Sequence, residues 1–143
     1  FPGVPLVMTH RDVGQVLPSY CSMCASTSLG ASTTYRREVQ GAHWTSRFRT
    51  GLERFEAWRK TLPQGRIVDV RYEDTVADPV GTAGRVMQSI GLGFDDADRA
   101  AMEACIAANA RENRPKHKYS AEEFGLTREG VAADFAFYHD RYL

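Results

Sequence analysis

Arg11 and Ser19 are the residues whose types and spacing first suggest ligand chemistry. An apolar stretch over residues 4–9 predicts a buried strand that ends before Arg11, and Asp12 is a residue type that commonly begins a helix. Ligands of open α/β sheets bind beyond the carboxyl ends of strands. There, a guanidinium fork and a serine hydroxyl two helical turns later can together bind a phosphate. A salt-bridged Arg11 with a solvated Ser19 explains the same pattern without a ligand, and both interpretations stay open.

Tyr72 closes a second predicted strand, which spans residues 66–72. An aromatic plane at this place suits stacking on a purine, although a half-buried aromatic on a strand is also a common structural feature. We interpret Glu73 and Asp74 as residues that fix the turn into the next helix, rather than as a carboxylate pair for acid–base catalysis. His10, at the end of the first strand, is likewise interpreted as structural in preference to a general base.

A basic segment lies near the C-terminus and contains Arg111, Arg114, Lys116, His117 and Lys118. Such a run is most often a solvated loop, but it also offers several cations to an anionic ligand. Ser120 and Glu123 follow it with the spacing of a capping box, which predicts a short turn that ends at Leu126.

Cys21 and Cys24 form a C-x-x-C pair, and Cys105 is the third cysteine. A structural zinc site needs four ligands, and the remaining candidates, which include His43 and His117, have no paired spacing. A thioredoxin-like redox pair is the other chemical alternative. We favour two small residues on the buried face of a helix. Because an odd number of cysteines fits a reducing compartment, the expected location is cytoplasmic.

The two strands alternate with predicted helices, which span residues 13–28, 36–62, 79–90, a stretch after 95 or 96, and a last helix after 127. Pro18 inside the first helix predicts a kink or a local widening there, and Asp78 and Thr127 are predicted N-caps. The helix after residue 96 is expected to bury three side chains, those of Met102, Cys105 and Ile106. Strands separated by helices predict a parallel pair and therefore an α/β fold.

The composition is that of an ordinary globular protein. The 143 residues are 43% hydrophobic and 25% charged, which fits one domain or part of one. Basic and acidic residues number 18 each, and the lack of a basic excess argues against a broad nucleic-acid-binding surface. No apolar run approaches the roughly 20 residues that a membrane-spanning helix needs.

The sequence resembles the sulfotransferase family, whose members take a sulfuryl group from 3'-phosphoadenosine 5'-phosphosulfate (PAPS). The resemblance rests on Arg11, Ser19 and the block 71–79, which reads Arg-Tyr-Glu-Asp-Thr-Val-Ala-Asp-Pro; the segment 116–126 is also similar to one in bacterial relatives. It implies the C-terminal part of a P-loop-like three-layer α/β/α domain with parallel strands and a helical C-terminal region. Residues 1–143 are thus expected to form a single domain that is incomplete at its N-terminus, where relatives carry the phosphosulfate-binding loop.

The resemblance also implies which residues contact the nucleotide. Arg11 and Ser19 correspond to residues that bind the 3'-phosphate, and Tyr72 corresponds to a tyrosine that lies against the adenine. Three basic residues are further candidates for phosphate contacts: Arg114, Lys116 and Lys118. The resemblance assigns no catalytic residue to this chain, and the family chemistry requires no metal.

The implied function is transfer of a sulfuryl group from PAPS to a hydroxyl or amine of a small-molecule, glycan or lipid acceptor, with PAP as the product. This chain would carry the half of the site that binds the 3'-phosphate and the adenine, and alone it is expected to bind nucleotide without transferring sulfate. Two alternatives stay open. A kinase of P-loop fold would prefer a 5'-phosphate and need Mg²⁺, and a non-catalytic interaction module would present the aromatic face of the helix 36–62.

Overall fold

The computed structural model describes residues 3–28, 34–109 and 119–143, which form two compact units. The first unit contains the described residues of 1–10 and 62–116, and the second those of 11–61 and 117–143. None of the helices in the described ranges is long and apolar enough to cross a membrane.

The elements in chain order are β1 (Leu6–His10), α1 (Val13–Ser28), α2 (Gln40–Arg59), β2 (Ile67–Arg71), α3 (Tyr72–Ala77), α4 (Pro79–Ser89), α5 (Asp96–Asn109), α6 (Arg128–Asp134) and α7 (Ala136–Tyr142). Short 3₁₀ turns lie at Arg37–Val39 and Glu122–Phe124. The sequence predicts one helix over 36–62, whereas α2 begins at Gln40 and ends at Arg59, so Leu62 lies outside it.

The first unit is built on the strands β1 and β2, which pair in parallel. Leu6 pairs with Ile67 and His10 with Arg71, so the two strands end at the same level. This pairing confirms the predicted parallel arrangement and the α/β class. After β2, the short helix α3 leads directly into α4 and then α5.

Apolar side chains of the first unit are more exposed than the sequence predicts. Leu6 and Val7 of β1 are 37% and 47% exposed, and no third strand of the described residues pairs with this sheet. The prediction that α5 buries Cys105 and Ile106 is wrong: both are exposed, and Met102 is only half-buried. Periodicity predicts which face of a helix is apolar, whereas its burial depends on what packs against that face.

The second unit contains one core that joins α1 to the C-terminal helices. α1 supplies apolar residues at every fourth position, and it runs through the buried Pro18. The core residues are Val13, Leu17, Cys21, Ala25, Phe124, Leu126, Val131, Phe135 and Tyr138. Leu17 and Phe135 have no exposed surface, and full burial of a side chain of this size contributes about 1.5–3 kcal/mol.

The aromatic face of α2 packs against this core. Trp44, Phe48 and Leu52 are partly buried on it. Tyr20 of α1 meets Trp44 and Phe48 edge-on, with centroids 4.7 and 5.2 Å apart. Two aromatic residues that an interaction module would offer to a partner, Trp44 and Phe48, are therefore engaged within the unit, whereas Trp58 is 46% exposed.

Side-chain caps begin several elements where the sequence predicts them. Asp78 and Thr127 each accept a hydrogen bond from the amide three residues later, at 2.8 and 3.1 Å. Ser120 and Glu123 form the predicted reciprocal capping box, at 3.3 and 3.4 Å. The expected single C-terminal helix is instead divided into α6 and α7 at the buried Phe135, whose ψ of 15° is not helical.

Candidate functional site

Arg11 lies between the end of β1 and the start of α1, as the sequence predicts. The next residue, Asp12, caps α1: its Oδ1 accepts a hydrogen bond from the amide of Gly14 at 2.7 Å. The backbone carbonyl of Asp12 accepts from the amide of Val16 at 3.1 Å. Since these bonds fix the first turn of α1, the Arg11 side chain starts from an ordered point of the backbone.

Gln15 lies between the two predicted phosphate-binding residues along α1. Arg11 Nη2 donates a hydrogen bond to Gln15 Oε1 at 3.2 Å. Gln15 and the exposed Ser19 are four residues apart in α1 and lie on one face of it, and the bond to Gln15 brings the Arg11 guanidinium to that face. The sequence reasoning did not identify Gln15, although its spacing of four residues from each of the others was a usable signal.

Ser19 borders a cleft of about 280 Å³ in the second unit. The lining residues are Ser19, Ser22, Met23, Ser26, Thr27 and Tyr119. The hydroxyl of Ser26 donates to the carbonyl of Ser22 at 3.0 Å, so part of this lining is already engaged within α1. Tyr119, from the described residues that begin at 119, is the only residue of this lining that lies outside α1.

His139 on α7 contacts the beginning of α1 from the other end of the chain. The amide of Val13 donates a hydrogen bond to His139 Nε2 at 3.2 Å, and Asp12 Oδ1 lies 3.4 Å from the same nitrogen. The two partners are 126 residues apart. No local sequence pattern could have identified this contact.

Tyr72 belongs to the first unit and is the first residue of α3, directly after β2. The residue is 38% exposed, which leaves part of it accessible to a ligand. Glu73 and Asp74 are exposed in the first turn of α3. Acidic residues there interact favourably with the helix dipole, which is consistent with their interpretation as residues that fix this turn.

His10 has no exposed surface and forms a hydrogen bond from Nε2 to Asp69 Oδ1 at 2.8 Å. Both residues lie on the strand pair of the first unit. A buried imidazole bonded to a carboxylate on the neighbouring strand links β1 to β2. This geometry favours the structural interpretation of His10 over that of a general base.

The three basic candidates Arg114, Lys116 and Lys118 lie outside the described residues. Their phosphate contacts stay a prediction from the resemblance.

The pair Cys21 and Cys24 lies on α1, and the structure describes Cys21, Cys24 and Cys105 as free cysteines. Burial raises the pKa of the Cys21 thiol to about 11, and the neighbouring Cys24 adds to the shift. Because the thiolate is the reactive form of cysteine, this environment is the opposite of that of a redox-active pair. Cys21 instead fills space in the core of the second unit.

Comparison with known proteins gives one family and two similar structures. The sequence model of the sulfotransferase family matches residues 1–96, a range that includes Arg11, Ser19 and Tyr72. No curated protein sequence gives a significant match.

Both similar structures are mycobacterial sulfotransferases. The sulfotransferase STF1 of Mycobacterium tuberculosis is 34% identical, with a TM-score of 0.79 over 96% of this chain and 34% of its own. The sulfotransferase STF9 of Mycobacterium avium is 22% identical, with a TM-score of 0.85 over 98% of this chain and 36% of its own; at that identity it supports the fold alone.

This chain spans about a third of the length of each matched protein, since the matches cover 34% and 36% of them. The similarity confirms the predicted P-loop-like α/β fold class. Together, the family match over residues 1–96 and the 34% identity to a solved sulfotransferase establish that this chain belongs to the sulfotransferase family.

Proposed function

We propose that this chain supplies the part of a sulfotransferase that binds the 3'-phosphate and the adenine of PAPS. The whole protein would transfer a sulfuryl group to a hydroxyl or amine of its acceptor. The observation that carries the proposal is the arrangement along α1, where Arg11 is hydrogen-bonded to Gln15 and Ser19 follows on the same face beside the cleft with Tyr119.

Arg11 is suited to bind a phosphate because its guanidinium is a planar fork of donors that matches two phosphate oxygens. Its Nη2 donates a hydrogen bond to Gln15 Oε1 at 3.2 Å. A neutral amide is a weaker partner than a phosphate dianion, so a ligand can replace this contact or add to it. Gln15 would hold the guanidinium on the side of α1 that also carries Ser19.

Ser19 adds a hydroxyl donor at the edge of the cleft, eight residues after Arg11. The resemblance makes three basic residues further candidates for contacts to the same phosphate: Arg114, Lys116 and Lys118. Several cations around one phosphate would bind it more tightly than Arg11 alone.

Tyr72 is proposed to contact the adenine. Its partly exposed ring can stack on a purine, an interaction that requires only an accessible aromatic face. It is therefore expected to support binding of any adenine nucleotide, whereas Arg11 and Ser19 should act only on nucleotides with a 3'-phosphate.

PAPS, when bound, supplies the sulfuryl group and is left as PAP. The residues proposed here hold the nucleotide in place, which lowers the entropic cost of bringing donor and acceptor together. We assign neither the catalytic base nor the acceptor contacts to this chain, since the buried His10 is engaged with Asp69.

The test is calorimetric titration of the longest available protein that contains this chain with PAP, 5'-AMP and ADP. The proposal predicts that PAP binds much more tightly than 5'-AMP, because only PAP carries a 3'-phosphate. A preference for ADP that depends on Mg²⁺ would contradict it and favour a kinase. No binding of any nucleotide by the folded protein would favour an interaction module.

A further inference from the structure

We propose that His139 is a positioning residue for the 3'-phosphate site. In this inference, which rests on the proposed function, His139 holds the first turn of α1 and thereby fixes where the Arg11 side chain begins. It does not itself contact the nucleotide.

The contact completes the cap of α1. The first amides of a helix have no partner within the helix. Asp12 Oδ1 accepts from the amide of Gly14 at 2.7 Å, and His139 Nε2 accepts from the amide of Val13 at 3.2 Å. Two side chains from opposite ends of the chain thus satisfy two adjacent donors, directly beside Arg11.

The contact is partly sheltered from water, most fully on the side of α1. Val13 is 3% exposed, and the His139 side chain is 22% exposed. A buried amide that loses its partner costs more than an exposed one, because water cannot replace the bond. Removal of the His139 acceptor should therefore loosen the first turn of α1.

Neighbouring residues of α7 hold His139 in place. Tyr138 is buried in the core of the second unit. At the end of the helix, the Tyr142 hydroxyl donates to Glu56 Oε1 on α2, and Arg141 Nη1 lies 3.0 Å from Glu56 Oε2. The imidazole is thus presented to α1 by a helix that is anchored independently of the α1 contact.

The anchoring provides a matched control. Tyr142→Phe removes one hydrogen bond from the same helix, but it leaves Val13 and Asp12 untouched. His139→Phe keeps an aromatic ring of similar size and removes the acceptor. His139→Gln places a side-chain carbonyl at a similar distance from the backbone and keeps an acceptor for the Val13 amide.

The test measures affinity for PAP and for 5'-AMP in these three variants, together with deuterium uptake of a peptide that spans residues 11–17. His139→Phe is expected to weaken PAP binding roughly three- to tenfold, with little change for 5'-AMP and with faster exchange in the peptide. His139→Gln should restore most of both properties. Tyr142→Phe should leave the ratio of the two affinities unchanged.

Each result has a distinct meaning. If His139→Phe exchanges deuterium faster in the peptide 11–17 but keeps the ratio of PAP to 5'-AMP affinity, His139 has only a structural role and the inference is overturned. Unchanged exchange would show that the contact does not hold α1 at all. If the protein without any substitution binds PAP no more tightly than 5'-AMP, the proposed function fails, and the inference about His139 fails with it.

Discussion

Two glycines of α2 provide a test of the packing in the second unit, because the same substitution should have opposite effects at them. Gly51 is exposed, and a Cβ atom there would have no atom within 4 Å. Gly41 is buried, and a Cβ atom there would lie 2.2 Å from the carbonyl oxygen of Phe124 and 2.7 Å from Leu126 Cγ.

The expected magnitudes follow from these distances. Gly51→Ala should stabilise the unit by about 0.8–1 kcal/mol, since alanine is the better helix former. At Gly41 the same gain in helix propensity is outweighed, because the Phe124 oxygen that the new Cβ atom would meet belongs to the backbone and cannot rotate away. Overpacking of this kind typically costs about 1–3 kcal/mol, so Gly41→Ala should destabilise the unit.

Intrinsic fluorescence during urea unfolding is a suitable assay because Trp44 and Trp58, the two tryptophans of the chain, both lie in α2. The signal therefore reports on the second unit. Gly51→Ala should raise the urea midpoint and Gly41→Ala should lower it. If Gly41→Ala were as stable as the unchanged protein, the close approach of α2 to the turn that carries Phe124 would be refuted.

Three further predictions concern reactivity and the nucleotide. Burial raises the pKa of the Cys21 thiol to about 11. Iodoacetamide at pH 8 should therefore label the exposed Cys105 much faster than Cys21, a difference that peptide mass spectrometry can measure. Equal labelling rates would contradict the buried position of Cys21. Tyr72→Ala should weaken the binding of PAP and of 5'-AMP alike, by on the order of 1–3 kcal/mol in calorimetry if the ring stacks on the base. Unchanged affinities in the folded variant would show that Tyr72 does not contact the adenine. Gln15→Glu should weaken the binding of PAP but not that of 5'-AMP, because a carboxylate at this position both competes for Arg11 and repels a 3'-phosphate. Tighter PAP binding in calorimetry would argue against a phosphate beside Gln15.

The sequence was sufficient to predict those features that depend on a few neighbouring residues. N-caps and the capping box each follow from side chains that bond to amides three residues away, as with Asp78 and Thr127. The strand bounds are less accurate, since β1 is Leu6–His10 rather than 4–9 and β2 is Ile67–Arg71 rather than 66–72. The parallel pairing followed from strands separated by helices. The position of Arg11 was predicted for the same reason, since it depends only on where β1 ends and α1 begins.

Features that depend on distant partners could not be predicted. Nothing near His139 in the sequence indicates that it accepts a hydrogen bond from Val13, 126 residues away. The break at Phe135 falls at a residue with no exposed surface, and no glycine or proline in residues 131–138 marks it in the sequence. The exposure of Ile106 shows the same limit, because an apolar face is visible in the sequence whereas its packing partner is not.

The most direct test of the proposed 3'-phosphate site is the effect of Arg11→Ala on PAP and 5'-AMP binding, measured by calorimetry in the longest available protein that contains this chain. Arg49→Ala is the control, because it removes the same charge from an arginine of the same unit that pairs with Glu53 at 3.0 Å. Loss of a charge-assisted contact predicts that Arg11→Ala weakens PAP binding by about 1.5–3 kcal/mol and leaves 5'-AMP binding nearly unchanged. Equal losses for both nucleotides, or a PAP affinity equal to that of Arg49→Ala, would contradict the assignment of Arg11 to the 3'-phosphate.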